Sequence, residues 1–471
     1  MVRSLTVVAN KGGVMKRLIG VCVVATVAMA APAWAAAPGG SSGLGDRFFP
    51  NSGNGGYHVV DYHLEMSWDP ATSMLKSTAE ISATATQELD RFNLDLRGFT
   101  VKSVDVNGAS ARFTRDGQEL TIQPRRRIRT GTHMQIDVKY QGTPETVYDP
   151  DGSPDGWIYT DNGITALSEP QGSPTWFPSN DYPSEKSTFE IEVTVPSNLV
   201  VVSNGLPDRP KTKGDRTTYS WSETKPMAPY LATVAIGQYT ITKYKMKSGL
   251  PVINAVQPGL EAAAAPALDR IPEMIDWLSG IYGPYPFESV GSIVTDAPNV
   301  GYALETQTRP TYTFVPDDST VVHELSHQWV GNSVSLTQWP DMWLNEGFAG
   351  YTEWMWAEHD GGATAEATFQ ATMASYPAGD VYWNRPIGPN TLPDASVLFS
   401  DQVYTRGALT LHALRRLVGD DVFFRILRTW TSEHRYGSAS TADFIELSQR
   451  LSHQQLGAFF TTWLDTPAKP A

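Results

Sequence analysis

Two histidines four residues apart, His323 and His327, place the strongest constraint on what this chain of 471 residues can fold into. On a helix, residues i and i+4 lie on one face about one turn apart, so both imidazoles can face one ion. Glu324 would face a water molecule at that ion, where a general base must stand. A third candidate ligand, Glu346, follows nineteen residues after His327. Two nitrogens, one carboxylate oxygen and an open position are typical of catalytic zinc. The sequence therefore predicts a zinc hydrolase with one Zn²⁺ per chain.

The same motif can occur by chance on a surface helix, but its surroundings favour a zinc site. Residues 317–319, Asp-Asp-Ser, are N-cap candidates that give the required helix a start. The apolar-rich segment 343–356 is interpreted as a facing helix that carries Glu346. Glu353 lies seven residues further on and projects from the same face. It is a candidate hydrogen-bond partner for the second nitrogen of a ligand histidine, with coincidental periodicity as the alternative.

The first 35 residues are predicted to be a signal peptide rather than part of the fold. Met15-Lys16-Arg17 is a basic n-region, residues 18–31 are apolar, and Ala33-Trp34-Ala35 is a cleavage site near Ala35. The apolar stretch is shorter than the roughly 20 residues that span a bilayer, which disfavours a signal anchor. Cys22 is the only cysteine and lies in this segment. We therefore expect a secreted protein without disulfides or a cysteine nucleophile.

The charge of the chain excludes some partners. Residues 1–35 contain four basic and no acidic side chains, so their removal changes the formal net charge from −14 to −18. Such an acidic surface argues against nucleic acid and anionic membranes as partners. The basic run 124–129 is expected to be a solvated turn or strand end.

Two patterns divide the rest of the chain. From Tyr57 to Tyr239 apolar and polar residues alternate, as in half-buried antiparallel strands, with clear runs starting at Val60, Met134 and Phe189. From about Met246 onward helical patterns dominate. The expected helices cover 260–282, 408–430 and 441 to about 451, the last of them capped by Ser440.

The predicted fold class is therefore α+β multidomain. The expected parts are a signal peptide at 1–35, a flexible segment at 36–50, an N-terminal antiparallel β-sandwich-like domain at 51–245 and a mainly helical zinc domain at 246–471.

Four separated motifs resemble the gluzincin aminopeptidases of the aminopeptidase N family, over nearly all of the chain after residue 35. His323–Trp329 with Trp343–Gly347 is similar to the family's zinc signature. Ala303-Leu304-Glu305 resembles the middle of its exopeptidase strand, and Val403–Gly407 resembles the segment with its catalytic tyrosine. The N-terminal segment that reaches the substrate in the family is matched by Glu169 and Pro170, followed by Phe177, Pro178, Asp181, Pro183, Lys186 and Phe189.

The resemblance implies a thermolysin-like catalytic domain that removes N-terminal residues from peptides with a free amino group. By the same resemblance, His323, His327 and Glu346 hold zinc and Glu324 is the general base. Tyr404 would donate a hydrogen bond to the oxyanion; without the family it would be an ordinary half-buried tyrosine. The implied substrate-binding residues are Glu305, Glu169, Ala303 and Leu304.

Glu305 and Glu169 are implied to hold the α-ammonium of the substrate, since two carboxylates converging on one cation would select a free terminus. Surface carboxylates on strands or loops are the alternative for both. The seven other histidines have no spacing that recommends them, and we expect them to be structural or at the surface.

The sequence departs from the family pattern at four positions. Tyr302 stands where glycine is usual, Thr306 where asparagine is usual, and Leu167 where glutamine often occurs. Arg406 replaces lysine, which we expect to be a mild change because the charge is kept. The chain ends where the family's catalytic domain ends, so we expect a site open to longer peptides.

Three other functions compete with an exported zinc aminopeptidase. A zinc endopeptidase of thermolysin type shares the ligand set but ignores a free amine, and Glu305 is the feature that separates the two. Epoxide hydrolysis is a minor alternative, and export argues against it. A non-catalytic extracellular binding protein is expected to have lost part of the acid–base set, yet His323, Glu324, His327, Glu346 and Tyr404 are all present.

Overall fold

The computed structural model describes residues 39–470, so the predicted signal peptide lies outside the described residues. Strands dominate the first half of this part and helices the second half, which confirms the predicted α+β class. The strands before residue 240 are β1 (Tyr57–Asp69), β2 (Met74–Ala85), β3 (Phe92–Asp95), β4 (Thr100–Val106), β5 (Ala109–Ser110), β6 (Arg112–Asp116), β7 (Glu119–Gln123), β8 (His133–Gly142), β9 (Thr146–Tyr148), β10 (Pro154–Thr160), β11 (Gly163–Leu167), β12 (Ser187–Pro196), β13 (Val200–Ser203), β14 (Leu206–Pro207), β15 (Lys211–Lys213), β16 (Arg216–Met227) and β17 (Val234–Gly237).

The second half contains shorter strands between helices. Its strands are β18 (Thr240–Lys245), β19 (Pro251–Val256), β20 (Val290–Val294), β21 (Ala303–Leu304), β22 (Thr311–Tyr312), β23 (Ser335–Leu336) and β24 (Ser438–Ala439). Its α-helices are α1 (Glu261–Leu268), α2 (Ile271–Tyr282), α3 (Asp318–Ser326), α4 (Trp343–His359), α5 (Ala365–Ser375), α6 (Gly407–Val418), α7 (Asp420–Glu433), α8 (Thr441–Ser452) and α9 (Gly457–Phe460). Two π-helical turns occur at Gln402–Arg406 and Thr461–Asp465.

The N-terminal strands form three sheets. The largest has the order β14-β16-β12-β1-β2-β8-β4-β5, with β15 paired to β16. The others have the orders β13-β17-β11-β10-β9 and β3-β7-β6. All pairs within these sheets are antiparallel except β1 with β12, which is parallel. A further mixed sheet, β18-β19-β20-β22-β21, begins the helical part and carries Ala303 and Leu304 on its edge strand.

The period-two alternation predicts the buried face of the large sheet with one exception. The apolar residues from Tyr62 to Trp68 in β1 are buried, but Val60 is 52% exposed. The pairing of β1 with β2 is irregular between Val59 and Asp61. A bulge inserts one extra residue and so reverses the side on which the preceding residues project. The prediction for Val60 is therefore wrong, whereas the runs in β8 and β12 alternate as expected.

Two predicted helices are each divided in the structure. The expected helix 260–282 consists of α1 and α2, because Pro272 has no N–H to continue the bonding of α1 and is suited to the first turn of a new helix. The expected helix 408–430 consists of α6 and α7, which Gly419 separates with a φ of 81°. The start of α8 is as predicted, with a reciprocal capping box between Ser440 and Asp443.

The sequence predicts a flexible segment at 36–50, but the described part of this segment is packed. Asp46 is buried, and its Oδ2 accepts hydrogen bonds from the N–H of Trp339 (3.0 Å) and the hydroxyl of Tyr182 (3.2 Å). Arg47 donates to the carbonyl of Leu392 (2.7 Å). A buried carboxylate requires such partners, so this segment bridges the N-terminal and helical parts.

Arg406 differs from the expected mild replacement of lysine. Its side chain is fully buried. Its guanidinium donates to the carbonyls of Trp463 (2.7 Å), Thr466 (2.6 Å), Arg385 (3.0 Å) and Trp383 (3.3 Å). A single ammonium cannot direct donors along all of these lines, because the planar guanidinium spreads its N–H groups over a fork. Arg406 therefore ties the last turn of the chain to the segment before α6. No helix within residues 39–470 is long and apolar enough to cross a membrane.

Candidate active site

Helices α3 and α4 supply the predicted metal ligands. The carboxylate of Asp317 accepts a hydrogen bond from the N–H of Thr320 (2.8 Å), which makes Asp317 the N-cap of α3, as predicted. His323 lies near the end of α3, and His327 directly follows its last residue. Glu346 lies in the first turn of α4.

Gly347 explains how α4 comes close to the Tyr404 segment. A Cβ on Gly347 would lie 2.8 Å from the Cα of Gly407, the first residue of α6. That distance is too short for any side chain, so a substitution would push α6 away from α4. Gly350, by contrast, has only ordinary contacts, with its nearest neighbour, the carbonyl oxygen of Tyr404, at 3.6 Å.

The donor atoms of His323, His327 and Glu346 lie within 4.8 Å of one another. The Nε2 atoms of the two histidines are 3.2 Å and 3.5 Å from Oε2 of Glu346. Both remaining ring nitrogens are engaged. Nδ1 of His323 lies 2.7 Å from Oε1 of Glu353, and Nδ1 of His327 lies 3.1 Å from the carbonyl oxygen of Val330. Acceptors at both Nδ1 positions require N–H there, which leaves both Nε2 atoms free to bind an ion.

This donor set fits zinc. Two imidazole nitrogens and one carboxylate oxygen converge, and each ring is oriented by a hydrogen bond on its far side, as in catalytic zinc sites. The hydroxyl of Ser319 donates to Oε2 of Glu353 (2.7 Å) and so orients the carboxylate that orients His323. Glu353 thus lies where the spacing on α4 predicts it.

A cavity of about 300 Å³ opens at this group. It brings together nearly all of the predicted site residues: Glu169, Ala303, Glu305, His323, Glu324, His327, Glu346, Glu353 and Tyr404. Leu304 is the exception, since its side chain packs in a small core cluster with Ile158 and Leu167. Alternation along the strand explains this, because Ala303 and Glu305 project to one face and Leu304 to the other.

Tyr404 lies in the π-helical turn before α6. Its ring is nearly parallel to that of His323, with centroids 6.1 Å apart. Burial and the nearby carboxylates, Glu346 first among them, raise the pKa of Tyr404 well above its usual range. The phenol therefore keeps its proton and can act as a hydrogen-bond donor.

Glu305 accepts hydrogen bonds at both its main-chain carbonyl and its carboxylate. The side-chain amides of Asn332 (2.7 Å) and Gln328 (3.2 Å) donate to its carbonyl oxygen. The hydroxyl of Tyr230 donates to Oε1 of its carboxylate (3.2 Å). Sequence reasoning missed all three partners. Asn332 and Gln328 closely follow the zinc motif, and this position is a signal that they could hold a neighbouring segment. Tyr230 is distant in sequence from Glu305, and no local pattern marks it as a partner.

Glu169 faces the same cavity from the N-terminal part of the chain. It is 9% exposed, and its Oε1 is buried without a hydrogen-bond partner among the described residues. A buried carboxylate oxygen without a partner is costly. Burial, followed by the charge of Glu305, raises the pKa of Glu169 well above its usual range.

The remaining electrostatics follow from the same crowding. Burial raises the pKa of Glu324 to about 7 against the lowering effect of the two histidines. Burial alone would raise the pKa of Glu346, but the adjacent His327 and His323 lower it to about 2. Glu346 is therefore ionised and suited to bind a cation, and a cation at the site would relieve the repulsion among the carboxylates.

A second group of possible ligand atoms, from His63, Glu65 and Glu192, lies on the largest sheet. Glu65 is exposed, and no hydrogen bond within residues 39–470 orients Nε2 of His63. The group therefore lacks the buried, oriented imidazoles that distinguish the His323 site.

Two family models match the chain on either side of the junction between its parts. Residues 58–231 match the peptidase M1 N-terminal domain, and residues 288–463 match the peptidase family M1 domain. The chain belongs to peptidase family M1. The second match contains His323, His327 and Glu346 as well as Glu305 and Tyr404, and the first match contains Glu169.

Relatives of this M1 peptidase include aminopeptidases. A probable aminopeptidase 2 of Sulfurisphaera tokodaii is 24% identical over 444 residues, which cover 88% of this chain and 54% of the relative. The glutamyl aminopeptidase of Mus musculus is 25% identical over 354 residues, which cover 70% and 36%. The chain thus spans about half or less of the length of these relatives.

A solved structure matches over almost its whole length. The M1 zinc metallopeptidase of Deinococcus radiodurans is 28% identical with a TM-score of 0.84, and the match covers 91% of this chain and 98% of that one. A Glu-to-Ala mutant of that enzyme, bound to the substrate Tyr-Ser-Ala, matches with a TM-score of 0.83 and 28% identity over 91% and 99% of the two chains. The family and the donor set together identify zinc as the metal.

The contact between His323 and Glu353 predicts a loss of zinc affinity when its carboxylate is removed. In Glu353→Gln the amide can still hydrogen bond to Nδ1, but without the negative charge the ring is a weaker ligand. Zinc affinity should fall about 10- to 100-fold, as for other partners of metal-bound histidines. Competition with a chromogenic chelator measures it. Glu446→Gln, an exposed change on α8, is the control, and equal affinities in the two variants would contradict the role of Glu353.

Proposed function

We propose that this M1 peptidase is an exported zinc aminopeptidase that removes N-terminal residues from peptides. The observation that carries the proposal is the presence of two further carboxylates, Glu169 and Glu305, in the cavity of the His323, His327 and Glu346 group. One of them has a buried oxygen without a partner. An α-ammonium group bound there would place the first peptide bond of the substrate next to the metal ligands.

The acid–base chemistry belongs to Glu324. Zinc held by His323, His327 and Glu346 would polarise the scissile carbonyl and acidify a water molecule. Glu324 accepts the proton of the attacking water and later transfers it to the leaving amine. The pKa of about 7, raised by burial, suits a group that must both accept and release a proton near neutral pH.

Tyr404 serves the oxyanion. Its phenol remains protonated because burial and the carboxylates raise its pKa. A donor that is already in place when negative charge develops on the carbonyl oxygen stabilises the transition state more than the substrate. Removing one such donor commonly costs about 10²–10³ in rate.

Glu169 and Glu305 bind the free amino terminus. A substrate ammonium supplies hydrogen bonds to the carboxylate oxygens and cancels part of their mutual repulsion. An acetylated terminus offers neither, so both buried carboxylates would stay uncompensated. This discrimination separates an aminopeptidase from an endopeptidase with the same zinc ligands. The substrate Tyr-Ser-Ala of the structurally similar M1 enzyme supports a peptide substrate.

The first test uses the purified protein and a panel of fluorogenic amino-acid amides. Each amide is assayed beside its N-acetylated counterpart, with and without a zinc chelator. We expect chelator-sensitive hydrolysis of the free-amine substrates alone. Hydrolysis confined to blocked substrates or internal peptide bonds would indicate an endopeptidase. If the zinc-loaded protein hydrolyses none of the substrates, the result would favour a binding function.

A variant of Glu305 tests the source of this selectivity. Glu305→Gln should lower the ratio of kcat/KM for free-amine over acetylated substrates by about 10- to 100-fold, the cost of one hydrogen bond to a charged group. Glu190→Gln, an exposed change on β12, is the matched control. An unchanged ratio in Glu305→Gln would remove Glu305 from amine binding.

The role of Glu324 predicts a separation of metal binding from turnover. Glu324→Gln keeps the shape of the side chain but cannot accept a proton, so kcat should fall by about 10²–10⁴. Zinc content should remain at one ion per chain, because Glu324 is not one of the three ligands. Metal analysis and amide hydrolysis on the same sample measure both. Retained turnover with retained zinc would assign the base elsewhere.

Export rests on the sequence of residues 15–35 alone. When the full-length chain is expressed in a bacterium, protein recovered outside the cytoplasm should begin at Ala36. Ala35→Arg, which removes the small residue required at the cleavage site, should block this processing. N-terminal sequencing checks it, and an intact N-terminus on protein retained in the cytoplasm would contradict export.

A further inference from the structure

Lys186 is the basic residue of the N-terminal motif, and the proposed chemistry does not use it. It lies directly before β12, and its ammonium crosses to the helical part of the chain. There it donates to the carbonyl oxygens of Asn332 (2.7 Å), Ser333 (3.0 Å) and Gly437 (3.2 Å). Burial lowers its pKa to about 7, and no carboxylate within residues 39–470 forms an ion pair with it. The amine is therefore held by main-chain carbonyls alone.

Two of these carbonyls, those of Asn332 and Ser333, belong to a turn that contacts one metal ligand. Residues 330–333 directly follow the zinc motif, and the carbonyl oxygen of Val330 is the acceptor for Nδ1 of His327 (3.1 Å). Gly331 has a φ of 125°, and a Cβ there would lie 3.2 Å from Nδ1 of His327. The turn is thus in direct contact with the ring of His327, and a shift of the turn would turn that ring.

The same turn also holds the amine site. The side chain of Asn332 donates to the carbonyl oxygen of Glu305 (2.7 Å), and its N–H donates to the carbonyl oxygen of His327 (2.9 Å). Asn332 is fully buried. One short segment therefore contacts both the zinc ligand His327 and the main chain of Glu305, whose carboxylate is proposed to bind the ammonium, and Lys186 contacts that segment at two carbonyls.

Gly437 extends the contact of Lys186 to the segment between α7 and α8. Its carbonyl oxygen accepts hydrogen bonds from Lys186 and from the N–H of Ser335 (3.0 Å). Ser335 begins β23, which pairs with β24 directly after Gly437. The ammonium thus joins the N-terminal part to two segments that are distant from each other in sequence.

We propose that Lys186 is a positioning residue, through which the N-terminal part holds the 330–333 turn and thereby orients His327 for zinc and Glu305 for the substrate amine. The zinc side of this inference stands on the metal site alone, and the amine side rests on the proposed function. Lys186 touches neither the metal ligands nor the cavity, so its influence must pass through the turn.

The test compares zinc release from Lys186→Met and from the wild type. Methionine keeps the length and apolar stem but cannot donate to the carbonyls. We expect zinc to dissociate about 10-fold faster into excess chelator, the lower end of the effect of losing an outer partner of a metal ligand. Lys76→Met, an exposed change on β2, should leave the rate unchanged. All rates are measured well below the melting temperature of each variant.

Lys186→Arg provides a second variant if the methionine variant cannot be purified. A planar guanidinium keeps the donors but cannot place one nitrogen against three converging carbonyls, so release should be faster than in the wild type and slower than in Lys186→Met. A folded Lys186→Met or Lys186→Arg protein that loses zinc at the wild-type rate would overturn the proposal, whether or not the protein hydrolyses peptides.

Asn332→Ala separates the effect of the turn on Glu305 from its effect on His327. It removes the bond to Glu305 but leaves the Lys186 contacts and the bond of His327 to Val330. Free-amine selectivity should therefore fall about 10-fold, with zinc release nearly unchanged. Lys186→Met should also lower free-amine selectivity, because it loosens the turn that holds Asn332. In the double variant the two losses of selectivity should not add, because both act through the bond of Asn332 to Glu305. Fully additive losses would show that Lys186 acts by another route. If the wild type has no aminopeptidase activity, the zinc-release measurement still decides whether Lys186 acts on His327.

Discussion

The concentration of negative charge in one small cavity is the constraint on which the rest of the structure depends. Glu169, Glu305, Glu324 and Glu346 share about 300 Å³. Burial opposes the ionised form of each of them, and their mutual repulsion adds to that cost. Tyr230 and His323 hydrogen bond to the carboxylates of Glu305 and Glu346, whereas Oε1 of Glu169 has no partner among the described residues. A cation bound in the cavity would offset this repulsion, which suits both a metal ion and a substrate ammonium.

Three buried or half-buried cations of residues 39–470 are placed so that they do not neutralise this cavity. Lys186, Arg309 and Arg406 all donate chiefly to main-chain carbonyls, and burial lowers their pKa to about 7, 10 and 10. Arg309 bonds to the carbonyls of Ile253 (3.2 Å) and Val290 (3.1 Å), between strands of the sheet that begins the helical part. These side chains join distant segments without forming ion pairs with the site. The site carboxylates consequently remain available to ligands.

The sequence predicts best what depends on a single helix. The spacing of His323 and His327, and of Glu346 and Glu353, defines a face whatever the rest of the fold does, and the structure has each of these side chains in the cavity. Contacts between distant segments are different. The partner Tyr230 of Glu305 depends on how the N-terminal strands dock, and no local pattern encodes that. The divided helices are an intermediate case, since Pro272 and Gly419 mark the breaks in the sequence but the apolar periodicity continues through both.

Tyr302 shows how a departure from the family pattern can be accommodated. Its ring lines the cavity beside Glu305 and packs against the cluster of Ile158, Leu167 and Leu304. Its hydroxyl donates to the carbonyl oxygen of Pro154 (2.7 Å) at the start of β10.

The next residue, Asp155, accepts a hydrogen bond from the N–H of Gln171 (3.1 Å), two residues after Glu169. A glycine at position 302 would have neither the ring that packs on the cluster nor the hydroxyl that donates to Pro154. Tyr302 therefore connects the strand of Glu305, through Pro154 and Asp155, with the loop of Glu169.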